Sequence, residues 1–281
     1  MGEAFGARLS ERLRELGPLC AGVDPSREVL ARWGYPDDVE SLEFVARSVL
    51  EALSGVVSAI KPQVAYFERF GSGGYRVLER LIADARDAEV LVVADVKRGD
   101  FTPTNMGYAQ AWLEESSPLR VDALTVSPYL GVGALAPFFE RAAVADRGVF
   151  VLAATSNPEG RAVQGARTET HERVEDMVLR EVAEINHSEE GSASVGVVLG
   201  ATRDAPRFDL NTLGGPYLVP GIGAQGADAA DVARLFSGCQ DPQVLASVSR
   251  DILYAGPERR SLRDAAQRWR DSLWNALGSG R

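Results

Sequence analysis

Leu91-Val92-Val93-Ala94-Asp95-Val96-Lys97-Arg98-Gly99-Asp100 is an apolar run of strand type that opens straight into charge. Side chains alternate faces along a strand, so Asp95 and Lys97 point the same way. A carboxylate and an ammonium side by side at the end of a buried strand are costly unless they pair or perform chemistry. Asp100 follows Gly99, three residues past Lys97, where the strand is expected to have ended. It is therefore free to point elsewhere, toward another subunit for example.

Lysine usage sharpens the reading. Of the 30 basic residues only Lys61 and Lys97 are lysines, and the others are arginine. Lysine is a compact ammonium that can release its proton, which arginine in practice cannot do. Both lysines follow apolar strand-like runs, Val56–Ile60 and Val90–Ala94, and neither falls on an evident surface helix.

Outward from this stretch, short apolar runs alternate with longer helical patterns. The predicted strands are Leu19–Val23, Val56–Ile60, Val90–Ala94, Val121–Val126, Val149–Ala153, Val195–Leu199, Tyr217–Val219 and Val244–Val248. Helices are predicted over Val39–Leu53, Gly74–Ala88, Asn105–Glu115, Gly133–Ala143, Glu172–Asn186, Ala227–Phe236 and Ser261–Leu277, with a break at Gly191–Ser194. Eight buried strands alternating with helices make the pattern of a (β/α)₈ TIM barrel. A doubly wound open sheet is the alternative, but no Gly-x-Gly-x-x-Gly follows the first strand. No linker or low-complexity tract divides the chain, so residues 1–281 read as one domain. Glu159–Arg167 and Arg203–Gly215 are the longest irregular pieces, and such pieces in compact domains are often functional.

A length of 281 residues suits one large barrel, and 45% hydrophobic residues suffice for its core. A net charge of −10 argues against nucleic acid or an anionic membrane as the main partner. Cys20 and Cys239 are far apart, show no metal-type spacing and read as buried free thiols of a cytosolic protein. Met1 to Gly17 resembles an amphipathic helix, not a signal peptide, and nowhere do eighteen apolar residues run together. A cytoplasmic protein is expected. His171 and His187, in or near helical segments among acids, read as surface residues.

In a barrel, chemistry gathers at the C-terminal ends of the strands. The candidates there are Asp24, Lys61, Asp95 with Lys97, Ser127, Ser156, Thr202, the Pro220–Gly226 loop and Arg250. Pro220-Gly221-Ile222-Gly223-Ala224-Gln225-Gly226 has three glycines that let backbone approach a ligand and turn N–H groups toward an anion at the following helix start. Arg250, after the eighth strand, can grip a phosphate with two parallel hydrogen bonds. The plainer reading is a tight turn beside a surface arginine. Asp24 and Lys61 could each be a loop charge or half of a structural ion pair. With Asp95 and Lys97 they form an alternating array of acid and base that can shift proton affinities and hold a proton donor beside a developing anion. Ser156, in Thr155-Ser156-Asn157-Pro158, is by itself more often a turn residue than a ligand contact.

Asp95-x-Lys97-x-x-Asp100-Phe101-x-x-Thr104 resembles the Asp-x-Lys-x-x-Asp-Ile-x-x-Thr motif of orotidine 5′-phosphate decarboxylases, with Phe101 at the usual isoleucine. Asp24, Lys61, Ser156, Pro220 to Gln225 and Arg250 also fall where that family places its site. The Thr-Ser-Asn-Pro phrase and the long insertions are similar to the longer, bacterial (type 2) branch. The resemblance implies a cofactor-free and metal-free decarboxylation of orotidine 5′-phosphate to uridine 5′-phosphate, the last step of de novo pyrimidine synthesis. It implies Lys97, Asp95, Asp100 and Lys61 as catalytic residues, with Lys97 protonating the C6 carbanion. Asp24 and Lys61 are then expected on the ribose hydroxyls, Ser156 on the base, and Gln225 and Arg250 on the phosphate, with Pro220, Gly221 and Gly223 shaping the loop. It also implies a homodimer in which Asp100 and Thr104 enter the neighbouring site.

Two rivals remain at this level. Mg²⁺-dependent sugar-phosphate decarboxylases and synthases look similar through Asp-x-Lys-x-x-Asp and the phosphate loop. They place an acid where this chain has Lys61, and histidine-bearing phrases where it has Ser-Asn-Pro. A barrel that only binds a phosphorylated ligand has no reason to keep both rare lysines among carboxylates.

Overall fold

The computed structural model of the chain describes residues 3–188, 194–204 and 207–278. The apolar runs become β1 (Leu19–Val23), β2 (Ala59–Pro62), β3 (Leu91–Arg98), β4 (Ala123–Val126), β5 (Gly148–Ala154), β6 (Val195–Leu199), β7 (Tyr217–Val219) and β8 (Val244–Val248). Every residue of β1, β2, β4, β6, β7 and β8 is buried, as strands covered on both faces require. Neighbouring strands pair in parallel, and β8 returns to β1 through Leu19↔Ala246 and Ala21↔Val248. The sheet is thus a closed (β/α)₈ barrel, which removes the open doubly wound alternative.

The helices are α1 (Phe5–Leu16), α2 (Arg27–Arg32), α3 (Val39–Leu53), α4 (Ala65–Glu68), α5 (Gly71–Asp87), α6 (Thr102–Leu113), α7 (Ala136–Val144), α8 (Arg161–Gln164), α9 (Val174–Ser188), α10 (Ala229–Leu235), α11 (Arg250–Leu253) and α12 (Arg259–Gly278). Local chemistry starts several of them. The Asp38 carboxylate accepts from Ser41 N at 2.8 Å at the head of α3, and Ser26 Oγ accepts from Val29 N at 3.2 Å at the head of α2. The apolar stripes of α3 and α5 then bury Leu42, Val45, Val49, Leu78 and Leu81 against the strands. A second core fills the barrel itself, with Cys20, Ala59, Leu91, Val93, Ala123 and Phe150 inside it. Amphipathic α1 closes the N-terminal end of the barrel. Its Phe5 meets Phe150 edge-on with ring centres 6.0 Å apart.

Three elements have bounds that differ from the sequence reading in a way that matters. The second strand runs from Ala59 to Pro62, not from Val56 to Ile60, and Val56 and Val57 are buried in the turn after α3. Lys61 is therefore inside β2, level with Gly22 of β1. The third strand runs through Lys97 and Arg98 instead of ending at Ala94, so Asp95 and Lys97 are strand residues. The helix after it starts at Thr102, which puts Thr104 in its first turn. Of the expected break at Gly191–Ser194, residues 191–193 lie outside the described residues, as do 205–206 of the irregular Arg203–Gly215 segment. No helix among the described residues is long and apolar enough to cross a membrane.

Candidate active site

Asp95 is the hub of the C-terminal mouth. Its Oδ2 takes Lys61 Nζ at 3.0 Å and Gln63 Nε2 at 3.1 Å, and its Oδ1 takes Lys97 Nζ at 2.5 Å and Thr125 Oγ1 at 3.0 Å. Two donors on each oxygen fill the acceptor capacity of a carboxylate. Three adjacent strands supply these groups. Gln63 stands level with Asp95 in a parallel bridge that continues β2 against β3.

Lys61 and Asp95 are 6% and 9% exposed, whereas the Lys97 side chain is 45% exposed. Burial pushes the Asp95 carboxyl up, but the Lys61 and Lys97 ammoniums and their hydrogen bonds outweigh it and hold the group well below the usual carboxylate range. Burial likewise disfavours the Lys61 ammonium, yet the charges of Asp95 and Asp24 overcome it and hold the group above the usual lysine range. Both ions stay charged in the barrel mouth because each offsets the other's desolvation. Lys97 adopts a left-handed backbone with φ 48°. For a residue with a side chain this costs about 1–3 kcal/mol and is held only where surrounding structure enforces it.

A cavity of ≈ 230 Å³ opens over this array, lined by Asp24, Lys61, Asp95, Lys97, Ser156, Pro220, Gly221, Gln225 and Arg250 of the expected residues. Gly223, also expected there, is not among the lining residues. Leu152, Val198 and Leu218 give the cavity an apolar wall, and Thr155, Asn157, Ser247 and Ser249 add polar groups that sequence reasoning did not single out. Asp24 Oδ1 and Ser249 Oγ are buried without a hydrogen-bond partner. Leaving such an atom unsatisfied costs about 1–3 kcal/mol, so each is an open hydrogen-bonding group beside the cavity.

The loop after β7 is tied to the chain leaving β5, two strands away around the mouth, where Ser156 Oγ donates to Gln225 Oε1 at 2.9 Å. Ser156 is in turn held by Thr202 Oγ1, which donates to its carbonyl at 3.0 Å. Gly223 has φ +72°, and an added Cβ would lie 2.4 Å from Asp251 Oδ2, so only glycine suits that position. The N–H groups of this loop are arranged differently from the expectation. Gly223 N donates to Ala227 O, Gly226 N to Gly223 O, and Ala224 N to Asp251 Oδ1. The start of α10 is closed by a reciprocal cap between Asp228 and Asp231. The Gln225 side chain and the Arg250 guanidinium both line the cavity and are suited to an anion. Arg250 is exposed, and its guanidinium makes no hydrogen bond or ion pair among the described residues.

The two irregular segments support the site without lining it. Gln164 of α8 accepts from Thr155 N at 3.0 Å and donates to its Oγ1 at 2.8 Å. Glu175 of α9, 3% exposed, pairs with Arg173 and Arg203, while Asp176 accepts from Arg207 N and Phe208 N. These bonds pin the chain after β6 to α9.

Asp100 and Thr104 lie outside the cavity lining of their own chain. Buried Asn105 holds Asp100 by accepting from its N at 2.9 Å and donating to its carbonyl at 2.6 Å. Thr104 is exposed, and Phe101 and Met106 at the start of α6, with Tyr129 and Leu130 in the loop after β4, are exposed apolar residues. Gly99 makes the bend possible, because a Cβ there would sit 2.3 Å from the Ser127 carbonyl oxygen. His171 and His187 are exposed, Cys20 is fully buried and Cys239 half-buried, and both cysteines are free thiols.

Gln63 and Thr125 are the central residues that sequence reasoning missed. Each left a faint signal: Gln63 is two positions past Lys61, on the same strand face, and Thr125 is the one polar residue in Ala123–Val126.

Fold and site together define a (β/α)₈ barrel enzyme whose mouth carries an acid–base array beside an arginine suited to an anion. Comparison with known proteins narrows this class. The model of the Orotidine 5′-phosphate decarboxylase / HUMPS family matches residues 17–265, and the chain belongs to that family. It is similar to the orotidine 5′-phosphate decarboxylases of Salinispora arenicola, 54% identical over 266 residues and 95% of each chain, and Streptomyces coelicolor, 48% identical over 276 residues, 98% of this chain and 99% of that one. A solved structure of the same description from Streptomyces avermitilis superposes with a TM-score of 0.93 at 49% identity, covering 99% of this chain and 97% of that one. The OMP decarboxylase of Leishmania donovani superposes with a TM-score of 0.77 at 27% identity, over 98% and 99% of the two chains.

Proposed function

We propose that this chain decarboxylates orotidine 5′-phosphate to uridine 5′-phosphate and CO₂, the last step of de novo UMP synthesis, as a cytoplasmic homodimer. The observation that carries the reading is the Lys61–Asp95–Lys97 array, with Lys97 the more exposed of its two ammoniums at the cavity. In the reaction the bond between C6 and the carboxylate breaks, the electron pair stays on C6 and CO₂ departs. Lys97 stabilises the developing carbanion and delivers an Nζ proton to it, then regains a proton from solvent. Asp95 holds that ammonium in reach, and buried Lys61 balances the second carboxylate oxygen.

Asp24 Oδ1 and Ser249 Oγ, buried without partners, suit the ribose hydroxyls together with Lys61. The bond from Ser156 to Gln225 supports a role for Ser156 at the base beside the phosphate loop, with Gln225 and Arg250 taking the phosphate. Phosphate contacts remote from C6 lower the barrier when their binding energy draws the loops over the site. The exposed apolar residues around Asp100 and Thr104 support pairing of two barrel mouths, with these two residues entering the neighbour's site.

The test is the ultraviolet absorbance of orotidine 5′-phosphate with purified protein, with and without EDTA. Loss of the substrate band at equal rates in both samples is expected. A band that holds steady while a sugar phosphate reacts only with Mg²⁺ present would overturn the proposal.

A further inference from the structure

The pairing of β3 with β4 breaks at the catalytic residues. Ala94 stands level with Leu124 and Arg98 with Val126, so Asp95, Val96 and Lys97 all face a single β4 residue, Thr125. Such a bulge re-aims side chains but leaves backbone groups without ladder partners. The unpaired group here is the N–H of Lys97, whose left-handed φ of 48° turns it out of the regular ladder. Thr125 Oγ1 accepts that N–H at 3.0 Å. The same hydroxyl donates its proton to Asp95 Oδ1 at 3.0 Å, the oxygen that also receives Lys97 Nζ. Thr125 is 1% exposed, so water does not compete for either bond. One hydroxyl thus fastens both ends of Lys97, its backbone directly and its ammonium through Asp95.

We infer that Thr125 is a positioning residue for decarboxylation, its hydroxyl holding the bulge that aims Lys97 into the cavity. The inference rests on Lys97 being the proton donor. Valine in its place keeps the shape but removes both bonds, which leaves Lys97 N–H unpaired and lets the ammonium drift. Serine keeps both bonds and loses only a methyl group.

The experiment compares Thr125→Val, Thr125→Ser and Lys97→Ala for turnover of orotidine 5′-phosphate, UMP binding and hydrogen exchange at the Lys97 amide. Misplacement of a reacting group by about 1 Å costs about 10²-fold in rate. The expected result is a kcat about 10²-fold lower in Thr125→Val, with KM and UMP affinity close to wild type and faster exchange at Lys97. Thr125→Ser restores kcat and slow exchange. Wild-type kcat in Thr125→Val, or equal loss in the serine variant, overturns the inference while leaving the role of Lys97 intact. A Lys97→Ala variant with wild-type turnover overturns the catalytic assignment itself. If Thr125→Val does not fold, Thr125→Ala against Thr125→Ser, which differ by one hydroxyl, makes the same comparison.

Discussion

Lys97 donates to Asp95 Oδ1 at 2.5 Å from two residues further along the same strand, and does so from a left-handed backbone. The carboxylate is already shared with Lys61, so Lys97 is held by one oxygen only and stays 45% exposed at the cavity. A buried lysine would be immobile, and a free one would be unaimed. On the proposed mechanism Lys97→Ala removes the electrostatic stabiliser and the proton donor together, effects worth about 10²–10³-fold and 10²–10⁴-fold singly. Turnover is expected to be abolished in a steady-state assay. Lys97→Arg is expected to be nearly as inactive, because a guanidinium keeps its charge but does not release its proton. Near-normal turnover in either variant removes Lys97 from the chemistry.

Lys61 and Asp95 make a second prediction, about stability and pH. The folded Asp95 carboxyl is held below its unfolded value of about 3.9, so its contribution is full above that pH and is lost as pH falls through the depressed value. The folded Lys61 ammonium is held above its unfolded value of about 10.4, so its contribution is full below that pH and is lost as pH rises through the raised value. The pair therefore stabilises the fold evenly from about pH 4 to about pH 10. Lys61→Met leaves Asp95 buried with one ammonium instead of two, and breaking a buried pair costs about 3–5 kcal/mol. Urea denaturation at pH 7 and pH 3 should show the gap between variant and wild type narrowing in acid. A gap that is the same at both pH values would assign the loss to packing, not charge.

How much of this was legible in the chain follows from what each residue must satisfy. Lys61, Asp95 and Lys97 stood out because charges at the ends of apolar runs have few reasons to be there, and the structure brings all three to one carboxylate. The start of β2 was not legible. Val56 and Val57 have strand chemistry, but burial under α3 satisfies an apolar side chain as well as a strand does. Period-two alternation placed Asp95 and Lys97 on one face, yet it contains no bulge, and so it could not show three β3 residues facing Thr125. Nor could it single out Gln63, since an amide is ordinary until a carboxylate is found 3.1 Å from it. The caps that occupy the start of α10 were hidden for a similar reason. Asp228 and Asp231 read as surface acids until their reciprocal bonds are seen.

The proposed phosphate role of Arg250 can be separated from the chemistry by the choice of substrate. It is exposed at the first position of α11, makes no ion pair among the described residues, and lines the same cavity as Gln225. A charge-assisted hydrogen bond contributes about 1.5–3 kcal/mol, so Arg250→Ala should lower kcat/KM for orotidine 5′-phosphate by about 10–10²-fold. The same variant should leave kcat/KM for orotidine, which lacks the phosphate, unchanged. Equal losses on both substrates would mean that Arg250 acts on the fold or on the base instead.

Asp100 gives the sharpest test of assembly. Its backbone is fixed by Asn105, and neither it nor Thr104 lines the cavity of its own chain. If Asp100 completes the neighbour's site, Lys97→Ala and Asp100→Ala are each inactive alone. Mixed under conditions that exchange subunits, they form heterodimers with one site that has lost both residues and one that has lost neither. With random exchange, half the dimers are mixed and each has one intact site, so activity should return to about a quarter of wild type. Sedimentation of the mixture should show a dimer throughout. Two inactive parents whose mixture stays inactive, despite proven exchange, would place Asp100 in the site of its own chain and end the shared-site arrangement.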